Sequence, residues 1–350
     1  MATAPHIAAL DPAAALPGAE VRLRGTGLAS GEHVPDVRVG GISAPIVLTS
    51  PHLLIARVPE SALSGAVEFE RPGSPAAQSP DTLEVATLIA DNLHPVCNPA
   101  LDPEGGIYAT LSGSRGQKTP VSIFKLNANF TVKPWSSALT NPSGLAFDHE
   151  GVLYASSRFD GSVYRLAPNG AATLVAQGLG VATGIAFDVA GNLYVGDRSG
   201  TVFKIDREHN TFVFATLEPS VAAYHMAVGP DHHLYVCGPT TSSHDTIWRI
   251  NPHGAVTPFF VGLGRPQGLA FDVSGNLYVV ASYRGRRGVI RIAPDGGAAC
   301  VVSGNNLVGL AFAPASRRGP RPAALILAAH SSLYHLPWAV PGLPLPPQPT

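Results

Sequence analysis

Residues 141–178 read NPSGLAFDHEGVLYASSRFDGSVYRLAPNGAATLVAQG, four short apolar runs parted by turn residues, and then the wording starts over. A second copy opens at Thr183 (TGIAFDVAGNLYVGDRSGTVFKI) and a further one at Gln267 (QGLAFDVSGNLYVVASYRGRRGVIRI). Four strands recurring every ~40–45 residues cannot bury their apolar faces one unit at a time. They do so by stacking around an axis, as the blades of a β-propeller. Inner-strand copies at residues 98–102, 144–148, 184–188, 225–229, 268–272 and 309–313 predict six blades. The last copy supplies only three strands, GLAFAP, LILAA and SSLYHLPW. ATLIADNLHPVCNPALD (residues 86–102) aligns without a gap to ATLVAQGLGVATGIAFD (residues 172–188), so residues 86–91 are an outermost strand in need of a blade. Pairing them with the strand around 332–338 closes the ring and removes two unpaired edges.

Composition agrees and excludes. With 37 Gly and 33 Pro the chain is rich in turns, as an all-β fold requires. A formal net charge of −1 offers no basic excess to attract nucleic acid or an anionic membrane. No apolar run approaches the ~20 residues that span a bilayer. The opening MATAPHIAALDP has no basic n-region, which predicts a cytoplasmic protein as written, or an extracytoplasmic one if this is a mature form. The cysteines, Cys97, Cys237 and Cys300, are too few for a disulfide framework or a zinc cluster.

Residues 1–85 carry short strands between Gly/Pro turns: PHIAALDP, GAEVRLRGTGL, a VRVGG hairpin and IARVP. This wording resembles the IPT/TIG family of immunoglobulin-like domains, which implies a small β-sandwich acting as a spacer or interaction module. RPGSPAAQSP (residues 71–80) has the composition of a linker, but TLEV after it resembles the last strand of such a domain. The expected fold class is therefore all-β, a small immunoglobulin-like β-sandwich (1–85) plus a six-bladed β-propeller (86–338). A proline-rich tail (339–350) follows, expected to be extended.

Strand order sorts the propeller loops. Loops from second to third strands and the connections between blades share one face, called upper here; first-to-second turns share the other. Residues that recur in each blade read as structural. Asp102, Asp148, Asp188 and Asp272 end inner strands and accept turn amides. Tyr108, Tyr154, Tyr194, Tyr235 and Tyr278 pack between blades, and Lys125, Arg165, Lys204, Arg249 and Arg291 are solvated or bridging cations. The DHH at 231–233 falls in a lower turn, where adjacent histidines do not both face one metal.

Singular residues stand elsewhere. Cys97, Ser143, Thr183, Tyr224, Gln267 and Val308 open the inner strands at the channel mouth. Glycine follows in four of them, but Asn98 and His225 replace it in the first and fourth blades, opposed across a ring of six. The upper loops add Arg115, Arg158, Arg198, Arg265 and Arg284, against Asp91, Asp160, Asp197, Glu218 and Asp245. Arginine forks suit carboxylate or phosphate groups. The predicted site is thus Asn98, His225, Cys97, Thr183, Tyr224 and Gln267 at the mouth, with Arg158, Arg198 and Arg284 around it. It would take a small anionic or polyhydroxylated ligand, or a protein partner; no cofactor, metal or catalytic residue is assigned.

The repeat wording, GLAFDxxGNLYVxDxxxGxVxRIxPxG, resembles NHL-repeat and other TolB-like six-bladed propellers. Within these the gluconolactonase-like (senescence-marker) hydrolases imply a divalent cation at the channel mouth. Their Glu position falls here at Cys97, in CNPAL, and their Asn and Asp positions near Thr183 or Tyr224 and at Gln267. No carboxylate remains, and a hard cation needs one. A lactonase-like hydrolase with a departed metal site is the alternative reading, and an interaction scaffold another. A Cys97–His225 nucleophile pair would require the two side chains to touch.

Overall fold

Strands form where apolar residues alternate between Gly, Asn and Pro turns; the computed structural model describes residues 4–29, 34–315 and 322–344. No helix occurs among the described residues, and the all-β expectation holds. The chain divides into two compact units. One comprises Met1–Thr87 with Gly285–Ile290 and Ala299–Asn306; the other comprises Leu88–Arg284, Arg291–Ala298 and Leu307–Thr350.

In the first unit, one sheet orders His6–Asp11, Glu20–Thr26, Leu53–Arg57 and Ile46–Thr49. A second orders Ala77–Val85, Gly65–Glu70, Asp36–Val39 and Ile42–Ser43. Val21, Leu23, Leu54 and Ala56 of one, with Val37, Val39, Val67 and Phe69 of the other, are all fully buried. Every second residue thus turns inward, as in an immunoglobulin-like sandwich. The last strand begins at Ala77, inside the segment whose composition looks like a linker. Nor does that segment hang free at its start: Arg71 is buried and its Nη1 donates to Gly27 O at 2.8 Å.

In the first five propeller blades four antiparallel strands follow one another in chain order. Innermost are Ala100–Leu101, Pro142–Phe147, Ala182–Phe187, His225–Val228, Leu269–Phe271 and Leu307–Ala313. Each packs on the next and the last packs on the first, which closes the ring. The final sheet runs Leu307–Ala313, Ala324–Ala329, Leu333–Pro337 and then Thr87–Ala90, so its outermost strand comes from the start of the propeller segment. Leu93 N donates to Ser331 O at 2.9 Å, and Ser332 Oγ to Asp91 Oδ1 at 3.0 Å, across that seam.

The core lies between sheets. Tyr108 meets Phe147 edge-on at 5.4 Å, Tyr154 meets Phe187 at 5.0 Å, Tyr235 meets Phe271 at 4.8 Å and Tyr278 meets Phe312 at 5.1 Å. Each pair joins the second strand of one blade to the inner strand of the next, which is why LYV and AFD recur. The inner-strand aspartates hold their turns: Asp148 Oδ1 accepts from Val152 N at 2.8 Å and Asp272 Oδ1 from Asn276 N at 2.9 Å. Part of the proline-rich tail is held by backbone hydrogen bonds. Leu343 N donates to Phe271 O at 2.8 Å and Val273 N to Pro341 O at 3.1 Å, so this stretch is pinned rather than free. Residues 345–350 of that tail lie outside the described residues.

Candidate functional site

The glycines opening the inner strands exist because adjacent blades meet there backbone to backbone. A Cβ on Gly144 would stand 2.5 Å from Thr183 O, and one on Gly184 would stand 2.4 Å from Tyr224 O. Asn98 and His225 occupy the corresponding places in the first and fourth blades, and the structure treats them oppositely. Asn98 Nδ2 donates to Leu269 O at 2.9 Å, and its Oδ1 accepts from Leu310 N at 3.1 Å. Both ends of the amide tie inner strands together. A Cβ on Gly268 would come within 2.1 Å of that Oδ1, so the glycine there leaves room for the amide. His225 is buried and makes no side-chain hydrogen bond among the described residues. Burial alone pulls its pKa down to about 3, leaving a neutral imidazole at neutral pH.

Most other mouth residues are engaged as well. Thr183 Oγ1 donates to Gly196 O at 2.9 Å and accepts from Tyr224 N at 3.0 Å. The Tyr224 hydroxyl donates to Glu218 O; burial, helped by the Glu218 and Asp197 charges, raises its pKa. Cys97 is buried with Sγ 3.7 Å from Ser143 Oγ, and burial pushes its pKa up to about 12. A thiol so far from ionising is no nucleophile, and no hydrogen bond joins it to His225: the imagined pair is not formed. Cys237 sits opposite His225 in the strand ladder and donates to Gln267 O at 3.0 Å. The Gln267 side-chain amide has no hydrogen-bond partner among the described residues.

The arginines differ more than their spacing suggests. Arg284 is exposed and lies 5.1 Å over the Tyr283 ring; Arg198 is exposed and donates from Nη2 to Val221 O at 3.1 Å. Arg158 is half-buried. Its Nη2 donates to Gly113 O at 3.0 Å, while its Nε is buried without a partner among the described residues. Burial lowers its pKa first, and the charges of Arg198 and Arg115 act in the same direction; Cys97 alone opposes them. The upper-face carboxylates do not relieve it. Asp197 accepts from Val181 N at 2.7 Å, Asp245 from Thr240 N at 2.9 Å and Arg265 N at 3.0 Å, and Asp160 from Tyr164 Oη at 2.7 Å.

One supporting residue escapes sequence reasoning. Asn141 is buried with φ 47°, accepts from Gly116 N at 2.7 Å and donates to Gly113 O at 2.8 Å and Ser114 O at 3.0 Å. It fixes the loop that carries Arg115 and the carbonyl on which Arg158 hangs. An Asn directly ahead of ProSerGly was the available signal, since Asn tolerates the left-handed region. Among the described residues no group of three or more His, Cys, Asp or Glu is placed to hold a metal ion.

No protein-family model and no curated protein matches this chain. Solved structures do resemble it. A gluconolactonase from Xanthomonas campestris superposes with a TM-score of 0.58 at 17% identity, over 73% of this chain and 89% of its own. An auxiliary nutrient binding protein from Bacteroides thetaiotaomicron gives 0.54 at 13% identity, over 95% of this chain and 97% of its own. A protein of unknown function from the same bacterium gives 0.57 at 13%, over 96% and 98%. At these identities the likeness speaks for the fold alone, a β-propeller.

Proposed function

We propose that the protein binds a small anionic or sugar-like ligand on the upper face of a six-bladed, NHL-type propeller, with Arg158 as its anchor. On this reading the IPT/TIG-like first domain is a spacer or interaction module. The observation that carries the reading is the Arg158 guanidinium, half-buried and without an ion pair among the described residues, with two further arginines as its charged neighbours. An arginine cannot shed its proton to escape burial, so the missing partner is an anion. Gln267 and the neutral His225 ring are polar side chains without hydrogen bonds at the same mouth, suited to hydroxyl or carbonyl groups. The likeness to nutrient-binding proteins over nearly the whole chain supports binding at the level of fold. The gluconolactonase likeness supports the fold too, but Cys97 and Gln267 stand where a lactonase would need carboxylates, so hydrolysis ranks second.

The test is isothermal titration of the protein and of Arg158→Gln with gluconate, glucuronate, inorganic phosphate and neutral glucose. A charge-assisted hydrogen bond in such a setting contributes about 1.5–3 kcal/mol. Arg158→Gln should therefore weaken the best anion at least about tenfold and leave any glucose binding unchanged. Equal affinity in the two proteins, or binding of none of the anions, overturns the assignment.

A further inference from the structure

We propose that His94 and His330 form a site for a divalent transition-metal cation such as Ni²⁺, Cu²⁺ or Zn²⁺, a clasp on the seam where the ring closes. His94 lies between the closing strand Thr87–Ala90 and the first inner strand Ala100–Leu101. His330 lies in the turn between Ala324–Ala329 and Leu333–Pro337. The two are far apart in sequence and meet only because the ring closes, with ring centroids 4.9 Å apart and planes at 84°.

The chemistry of each ring suits ligation. His94 Nδ1 faces Ser112 O, and a carbonyl can only accept. Nδ1 therefore carries the hydrogen, and Nε2 keeps its lone pair. An imidazole locked through one nitrogen by a backbone carbonyl is the usual arrangement of a metal-ligating histidine. His330 is exposed and makes no side-chain hydrogen bond among the described residues, so both of its nitrogens remain available. Two imidazoles bound at ~2.1 Å to one ion with right-angle to tetrahedral geometry hold their centroids roughly 4.6–5.3 Å apart. Imidazole ligands select borderline transition metals over Mg²⁺ and Ca²⁺. With two protein ligands and water completing the shell, the site binds reversibly and strengthens the closure without being required for folding.

Thermal unfolding of untagged protein titrated with NiCl₂ tests this. At about a hundredfold excess over Kd, Tm should rise by about 5 °C. His330→Ala removes an exposed ring without hydrogen bonds, so it should keep the metal-free Tm and lose the rise. His94→Gln should lose it too. The double variant His232→Ala/His233→Ala, which alters the other adjacent histidines, should retain it, and CaCl₂ should give none. A rise that survives His330→Ala, one that vanishes in the 232/233 variant, or no rise with Ni²⁺, Cu²⁺ or Zn²⁺ overturns the proposal.

Discussion

His225 and Arg158 meet the same difficulty, a titratable group taken out of water, and resolve it by different chemistry. Imidazole gives up its proton; guanidinium cannot. The His225 side has a consequence for stability against pH. Its folded pKa, about 3, lies below the unfolded value near 6.5. The unfolded chain therefore takes up the proton first, and the stability present above about pH 6.5 is lost as pH falls towards 3. That slope is at most ~1.4 kcal/mol per pH unit for one group. Urea midpoints at pH 7, 5.5 and 4 should fall more steeply for the natural protein than for His225→Gln; parallel lines would show that burial does not hold the ring neutral. The sequence singles out His225 and Asn98 as the two departures from glycine, and in this it reads well. It does not reveal that Asn98 is fully engaged, because the partners of its amide are 171 and 212 positions away. Nor can spacing separate Arg158 from Arg198 and Arg284, since the difference lies in burial and in which carboxylates are already bonded elsewhere.

At the scale of strands, the repeat is legible because each blade must solve the same packing problem. Its inner strand needs a glycine where the neighbour's backbone approaches, a Phe against the preceding blade's Tyr, and an Asp to hold the turn. The fourth blade departs from all three rules, with Gly229 standing in the Asp place. It carries His225 in the glycine place and Val228 in the Phe place, and Tyr194 packs instead on Phe214 of its own blade at 4.9 Å. The close approach gives a sharp prediction. In Gly184→Ala the new methyl would meet Tyr224 O at 2.4 Å and His225 Cα at 3.1 Å, backbone atoms that cannot turn aside. The expected loss is about 2–4 kcal/mol by urea unfolding. Gly297→Ala is the control, an exposed turn whose nearest neighbour is the Asp295 side chain, and should cost less than ~1 kcal/mol. Similar losses in the two would remove the packing argument. Composition misled at the other extreme: RPGSPAAQSP and the prolines after 339 look like loose chain, yet Ala77–Val85 is a strand and residues 341–343 are pinned to the fifth blade. Composition reports what a segment lacks, not which backbone groups a neighbour offers it.

For the whole molecule the decisive pairing is that of Thr87–Ala90 with Leu333–Pro337. It is legible in sequence because the orphan strand aligns without a gap to a complete blade. A chain begun at residue 81 keeps this pairing and one begun at residue 92 loses it. The shorter chain should show a lower Tm and elute in part as aggregate on gel filtration, since it exposes a strand edge; equal Tm values would mean that closure contributes nothing. The same pairing sets a clock on biogenesis. Asp91 and Ser332, bonded across the seam, are 241 positions apart. At the usual ~5–20 residues per second of synthesis, the first strand waits on the order of 10–50 s for its partner to leave the ribosome. During that interval the nascent chain carries the open edge that the finished ring hides, so its exposure to aggregation and to chaperones belongs to its synthesis rather than to its mature life.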